Sequence, residues 1–225
     1  MKTLACAFAL STLIASPVLA QCVPIETGLP GWERLDFDDL TPNSWAEDDG
    51  ALVASSNASA SMLYTAVAPT TAPILTWRWR VDDAVPATDL TRKGGDDRSL
   101  ALTIGFAYDS ANASMGERMK RVLVESVAGA DAPGRIIDFV WGGNQPAGTR
   151  IESPYSGNAA RIVVRRSATH PSGEWETERV NLADLYTELW GSAPSPVSRI
   201  ALFIDTDDTG GTGQSRISDI CFSHS

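Results

Sequence analysis

The sequence predicts a mostly β, single-domain protein, an antiparallel β-sandwich or jelly roll with one or two short helices. Three observations carry this expectation. Ten short runs rich in β-branched and aromatic residues are each bounded by Gly, Pro, Asn, Asp or Ser. One of them, LTWRWRV from Leu75 to Val81, alternates apolar and charged side chains with the two-residue period of a strand. Beyond an N-terminal leader about 205 residues remain, enough for one sizeable core and short for two.

In chain order the strand candidates are WERLDF near Trp32, ALVASS near Val53, SMLYTAV near Leu63, ILTWRWRV, and LALTIGFAY near Ile104. RIIDFVW near Phe139, ARIVVRR near Val163, EWETERVN near Thr177, RIALFIDT near Phe203 and SRISDICF near Ile220 follow. So many strands, not alternating with helices, favour a sandwich over an α/β fold. Two segments read as helices. In ASMGERMKRVLVESVAG, Ser114 and Glu117 form a capping-box pattern, Met119, Val122, Leu123 and Val127 keep helical spacing, and Gly129 ends the run. LADLYTELWG is shorter, with Leu182, Leu185, Leu189 and Trp190 on one face and Gly191 as its stop. There is no internal repeat and no low-complexity tract.

On the LTWRWRV strand, Leu75, Trp77, Trp79 and Val81 share the core face, while Thr76, Arg78 and Arg80 share the other. Each buried indole removes roughly 150–250 Å² from water, so the pair contributes several kcal/mol. Arginines held in the middle of an anchored strand need carboxylates, a ligand anion or open water.

Residues 1–20 read as a secretory signal peptide: Lys2, an apolar run, then small residues at Val18 and Ala20. A membrane anchor would need about 18 uninterrupted apolar residues, and Ser11, Thr12, Ser16 and Pro17 break this run. A lipoprotein signal, suggested by Cys22, meets Gln21 where a small residue would be expected. The domain is therefore placed at 21–225. Losing the leader removes Cys6 and leaves Cys22 and Cys221, which are expected to pair in an oxidising compartment, with two buried thiols as the alternative. The net charge is −10, and loss of Lys2 with the leader makes it −11. That balance argues against nucleic acid or an anionic membrane as a partner, since both need a basic face. It fits a periplasmic or secreted protein without stable membrane insertion.

Three charged segments could meet the two arginines. LTRKGGDDRS carries Lys93, Gly94, Gly95, Asp96 and Asp97; WETERVN carries Glu176, Glu178, Arg179 and Asn181; DTDDTGG carries Asp205, Asp207, Asp208, Thr209 and Gly210. Taken with WRWRV and FVWGG in this order, they resemble the bacterial domain-of-unknown-function family 3047 from about Pro73 to Phe222. The pattern of that family is Trp-Arg-Trp-Arg, Lys-Gly-Gly-Asp-Asp, aromatic-Val-Trp, Glu-x-Arg-Asn-Val and Asp-Thr-Asp-Asn-Thr-Gly. This chain departs from it with ERVN, with Asp208 in place of Asn, and with LALTIGFAY where an aromatic-Val-Val run is usual. The resemblance implies an exported, mostly β protein and transfers no activity.

In DTDDTGG, Asp205, Asp207 and Thr209 fall at the first, third and fifth positions of a calcium loop, with Gly210 at the sixth. The twelfth position is Arg216, so the segment is no EF-hand. Ca2+ held by Asp205, Asp207 and Asp208 stands beside a plainer reading, in which these residues cap a turn and one pairs with Arg78 or Arg80. In KGGDD the glycines permit a sharp bend that aims Asp96 and Asp97 at the sheet, where one of them is expected to lock an arginine. The only histidines, His170 and His224, leave little material for a Ser-His-Asp triad or a His-based zinc site. There is no Walker loop and no Gly-x-Gly-x-x-Gly after a strand.

The function expected is a non-catalytic binding module for a glycan or other polar or anionic envelope ligand. Its candidate contacts are Arg78, Arg80, Lys93, Asp96, Asp97, Trp141, Glu178 and Arg179, with Trp141 as an exposed loop aromatic for stacking on a sugar. The alternatives are a carboxylate-dependent glycan hydrolase or lyase, drawing on Asp96, Asp97, Glu178, Asp205 and Asp207, and a structural envelope protein whose Arg/Asp cluster only stabilises the sandwich.

Overall fold

The computed structural model describes residues 20–111, 113–128 and 131–224. The leader read at 1–20, save Ala20, and the helix stop at Gly129 lie outside the described residues.

Two sheets face each other. The first contains, in spatial order, β11 (Glu176–Asn181), β6 (Ile74–Asp83), β13 (Thr212–Ser223), β4 (Ala51–Asn57) and β3 (Ser44–Asp48), with β1 (Gln21–Cys22) pairing to β13. The second runs β2 (Glu33–Asp36), β5 (Ala60–Thr70), β12 (Val197–Asp205), β7 (Arg98–Phe106), β8 (Arg135–Trp141), β10 (Gly157–Arg166) and β9 (Arg150–Ser153). All ten sequence-predicted strands form. The three short ones not read from sequence, β1, β3 and β9, are edge pieces. Pairing is antiparallel except between β8 and β10, which run parallel because β9 returns the chain outside them.

The alternation in β6 works as expected on its inner face. Leu75, Trp77, Trp79 and Val81 are all 0 % exposed. Trp77 packs on Phe139 at 5.1 Å and Trp79 on Trp141 at 5.6 Å between ring centroids, so the indoles of one sheet interlock with the aromatics of the other. Ring pairs at these separations add about 1 kcal/mol each beyond burial.

Both expected helices form, α1 (Met115–Ala128) and α2 (Leu182–Trp190). At α1 the capping box is closed: Ser114 N–H donates to Glu117 Oε2 at 2.6 Å and Glu117 N–H to Ser114 Oγ at 3.2 Å. Glu117 also receives Arg135 Nε at 3.2 Å, which fixes the helix start to β8. In α2, Asn181 Oδ1 caps the amides of Ala183 and Asp184, and Gly191 ends the helix in the left-handed conformation, φ 72°.

The seven-stranded sheet is buried on both faces along β7. Its inner face belongs to the main core. On its outer face Ala60, Ala101, Val140, Ile162, Val164 and Phe203 form a second apolar cluster, against which Phe37, Leu40 and Met62 pack. Loops rise around that face and leave it recessed.

Candidate functional site

The recess is a cleft of about 470 Å3. Its floor comes from the outward residues of four neighbouring strands: Met62 on β5, Phe203 and Asp205 on β12, Thr103 on β7, and Ile136 and Asp138 on β8. Phe37 and Leu40 form one wall, Ser153 to Ser156 the other, and the Asp96 and Asp207–Asp208 loops close one end. Five aspartates line it, and Arg98 is the only basic residue among the described lining residues.

The acidic end is built by two loops. In Lys93–Asp97, Gly94 takes φ 69°, and a side chain at Gly95 would stand 2.9 Å from the Asp89 carbonyl, so both glycines are required by geometry. The bend lets Tyr155 bridge the loop: it accepts from Gly94 N–H at 3.0 Å and donates to Asp96 Oδ1 at 2.7 Å. Asp97 is fully buried and accepts the backbone amides of Asp208 (3.3 Å) and Thr209 (2.8 Å), which ties the DTDD turn to the KGGDD loop. A buried hydroxyl and amide network of Asn43, Ser56, Ser59 and Thr206 anchors the same turn from below.

Arg98 provides the counter-charge. A register shift between Phe203 and Asp205 inserts an extra residue in β7, so Arg98 pairs opposite Asp205 and shares its face. Its guanidinium lies 3.6 Å from Asp96, 3.9 Å from Asp205 and 4.5 Å from the Phe203 ring centroid. Burial, reinforced by the neighbouring carboxyl of Asp207 and opposed by the charge of Arg98, pushes Asp205 up to about 9. Burial likewise raises Asp138, against Arg98 and a 2.5 Å hydrogen bond from Thr103 Oγ1. Asp208 is raised by desolvation and by the charges of Asp207, Asp97 and Asp96. Tyr155 is pushed to about 12 by burial and by its bond to Asp96.

Of the sequence-predicted residues, the structure gathers Lys93, Asp96, Asp97, Asp205, Asp207 and Asp208 at this end of the cleft; Lys93 is exposed, 5.5 Å over the Tyr155 ring. The others lie elsewhere. Arg78 and Arg80 project from the outer face of the six-stranded sheet, over Trp175 at 5.1 and 5.6 Å, and pair with Asp219 and Asp82, so they meet neither acidic loop. Trp141 is 1 % exposed: it is the last residue of β8 and keeps the inward parity of Ile137 and Phe139, packing on Trp79 and His170 instead of facing a ligand. Glu178 is buried between Arg165 (2.5 Å) and Arg166 (2.8 Å), a link between the sheets, and Arg179 is exposed on β11. Sequence reading missed Arg98, Asp138 and Tyr155. Asp138 did leave a signal, as the one carboxylate inside the apolar run RIIDFVW.

Fold and site together define a β-sandwich protein with an acidic, aromatic-lined cleft on the outer face of one sheet. The family model described as a protein of unknown function, DUF3047, matches residues 30–221, and the chain belongs to that family. No curated protein matches it. Similar solved structures include a mutant of the family 29 carbohydrate-binding module CBM29-2 complexed with cellulohexaose (13 % identity, 92 % of this chain and 93 % of that one, TM-score 0.38). Another is the xyloglucanase domain of NopAA from Sinorhizobium fredii in complex with cellobiose (8 %, 91 % and 98 %, TM-score 0.46). A third is the K3 adhesin domain of Lys-gingipain from Porphyromonas gingivalis (14 %, 92 % and 99 %, TM-score 0.38).

Proposed function

We propose that the chain is an exported protein whose cleft binds a glycan. The observation that carries this reading is the continuity of the recess. The cleft runs into two further hollows of about 530 and 280 Å3, and all three share Ile136. The trough crosses β5, β12, β7, β8 and β10, four inter-strand steps, or roughly 19 Å. That suits an extended chain better than a single small molecule. Phe37, Phe203 and Tyr155 supply flat apolar surfaces, and the aspartates accept hydrogen bonds from hydroxyl groups. Along the whole trough six carboxyls (Asp96, Glu117, Asp138, Asp205, Asp207 and Asp208) face three guanidiniums (Arg98, Arg121 and Arg199), an excess that disfavours a free anion and favours a neutral, hydroxyl-rich chain. Export is supported by the leader pattern and by the Cys22–Cys221 disulfide; no helix among the described residues is long and apolar enough to cross a membrane.

A neutral glycan array followed by calorimetry tests this. Tyr155→Ala and Asp138→Asn are expected to weaken binding about tenfold or more, a loss of roughly 1.4 kcal/mol or more, whereas Arg78→Ala, on the other sheet, leaves it unchanged. Binding that survives both cleft variants, or no neutral glycan bound by folded protein, overturns the reading.

A second reading, a carboxylate-dependent glycan hydrolase or lyase, is favoured by one observation: Asp205 is a buried carboxyl in the cleft, beside other carboxylates, and burial raises its pKa, the environment that suits a general acid. Release of product from a polysaccharide, abolished by Asp205→Asn with binding retained, would select catalysis.

A further inference from the structure

We infer that the acidic end of the cleft is a binding site for a hard divalent cation, calcium in particular, formed by Asp97, Asp207, Asp208 and Asp205. One carboxylate oxygen from each of Asp97, Asp207 and Asp208 lies within 4.8 Å of the other two. Calcium–oxygen bonds of 2.3–2.6 Å place any two ligands of one ion no more than about 5 Å apart, so the three carboxylates are spaced as ligands of a single ion are.

Asp205 is the independent observation. It is 4 % exposed, and its Oδ1 is buried with no hydrogen-bond partner among the described residues. Its other oxygen, Oδ2, faces Arg98 at 3.9 Å, beyond hydrogen-bonding range. Its carboxyl neighbours that of Asp207, one of the three clustered groups, and it lines the same cleft as Asp207 and Asp208. A buried acceptor without a partner is costly. A cation among the four groups would satisfy Asp205 Oδ1 and neutralise the repulsion among the others. Oxygen donors alone, with no His or Cys nearby in the cluster, select a hard ion. Two turns can offer the irregular, oxygen-rich shell that calcium accepts and magnesium does not.

Asp97 has a double task that fits this role. It already accepts the amides of Asp208 and Thr209, so it orients the turn that carries the other donors. Asp207 and Asp208 also line the cleft, so the ion would turn its remaining coordination positions toward the trough. The inference stands apart from the glycan reading, because the cation is measured without any sugar.

The test is calorimetric titration of CaCl2 into the EDTA-stripped full chain, with thermal melts in parallel. Binding with Kd at or below about 1 mM is expected, the weak end of extracellular calcium sites, together with a rise in Tm and weaker binding of MgCl2. Asp207→Asn and the near-isosteric Asp205→Asn are each expected to lower calcium affinity about tenfold or more, while Asp219→Asn, on the other sheet, keeps it. Circular dichroism establishes that each variant is folded. No binding heat and no Tm shift for folded wild type up to about 10 mM calcium, well above that range, overturns the proposal; so does wild-type affinity in both folded cleft variants.

Discussion

Arg98 and Arg78 differ in what surrounds them, and their removal should differ accordingly. The Arg98 side chain is only 10 % exposed and sits between Asp96, Asp205 and the Phe203 ring. Arg98→Met would leave buried carboxylates without their counter-charge, and a loss of about 3 kcal/mol is expected in chemical denaturation. Arg78, 46 % exposed and 3.6 Å from an exposed Asp219, should cost no more than about 0.5 kcal/mol when changed to Met. Asp82 sets a pH dependence. Burial would raise its pKa, but hydrogen bonds from Arg80 and Arg216 outweigh this and hold it below the ordinary carboxylate value. A depressed folded pKa gives stability that is present above the unfolded value near 4 and is lost as pH falls through the folded one. Tm measured from about pH 5 down to about pH 2 should therefore fall less steeply for Asp82→Asn than for wild type, the window being set by that unfolded value.

At the scale of elements, α2 is held by its caps. Asn181 Oδ1 accepts two amides and Asn181 Nδ2 donates to Asp184 at 2.6 Å, so Asn181→Ala should lower stability by about 1 kcal/mol. A denaturation curve with unchanged slope and a lower midpoint would report it. The Ser114–Glu117 box of α1 and the Gly191 stop of α2 were visible in the sequence because they are local, whereas the Asn181 cap was not read from it. The strands were visible for the same reason, through period and composition. β3 was not: its SWAED sequence alternates only weakly and lies at a sheet edge. β9 has four residues and β1 two, too few to show a period.

Across the whole molecule, the disulfide joins the first strand to the last. Cys22 and Cys221 are register partners in β1 and β13, 199 residues apart. Closing so large a loop restricts the unfolded chain by up to about 5 kcal/mol in the entropic account. The Cys22→Ser/Cys221→Ser double variant should melt well below wild type, and reduction of the wild type should reproduce that shift. A Tm insensitive to both would mean that the strand pairing alone holds the termini.

The sequence alone determined the β-sandwich class, the inward set Leu75, Trp77, Trp79 and Val81, both helices with the Ser114–Glu117 box and the Gly191 stop, and the cysteine pair, since each follows from a local period or from composition. Which charges meet was decided by tertiary structure. Arg78 and Arg80 point away from the core as the alternation requires, yet the acidic loops, which connect the two sheets, turn their carboxyls to the outer face of the other sheet, and strand periodicity cannot say to which face a loop will turn. Strict alternation would have aligned Arg98 with the inward Leu100; the extra residue in β7 re-aims it to face Asp205. Trp141 was placed in a loop because GGN follows it, although one residue of strand parity sufficed to bury it. The cleft and its acidic end thus depend on sheet pairing and one register shift, both of which are non-local, so no short stretch of the chain encodes them by itself.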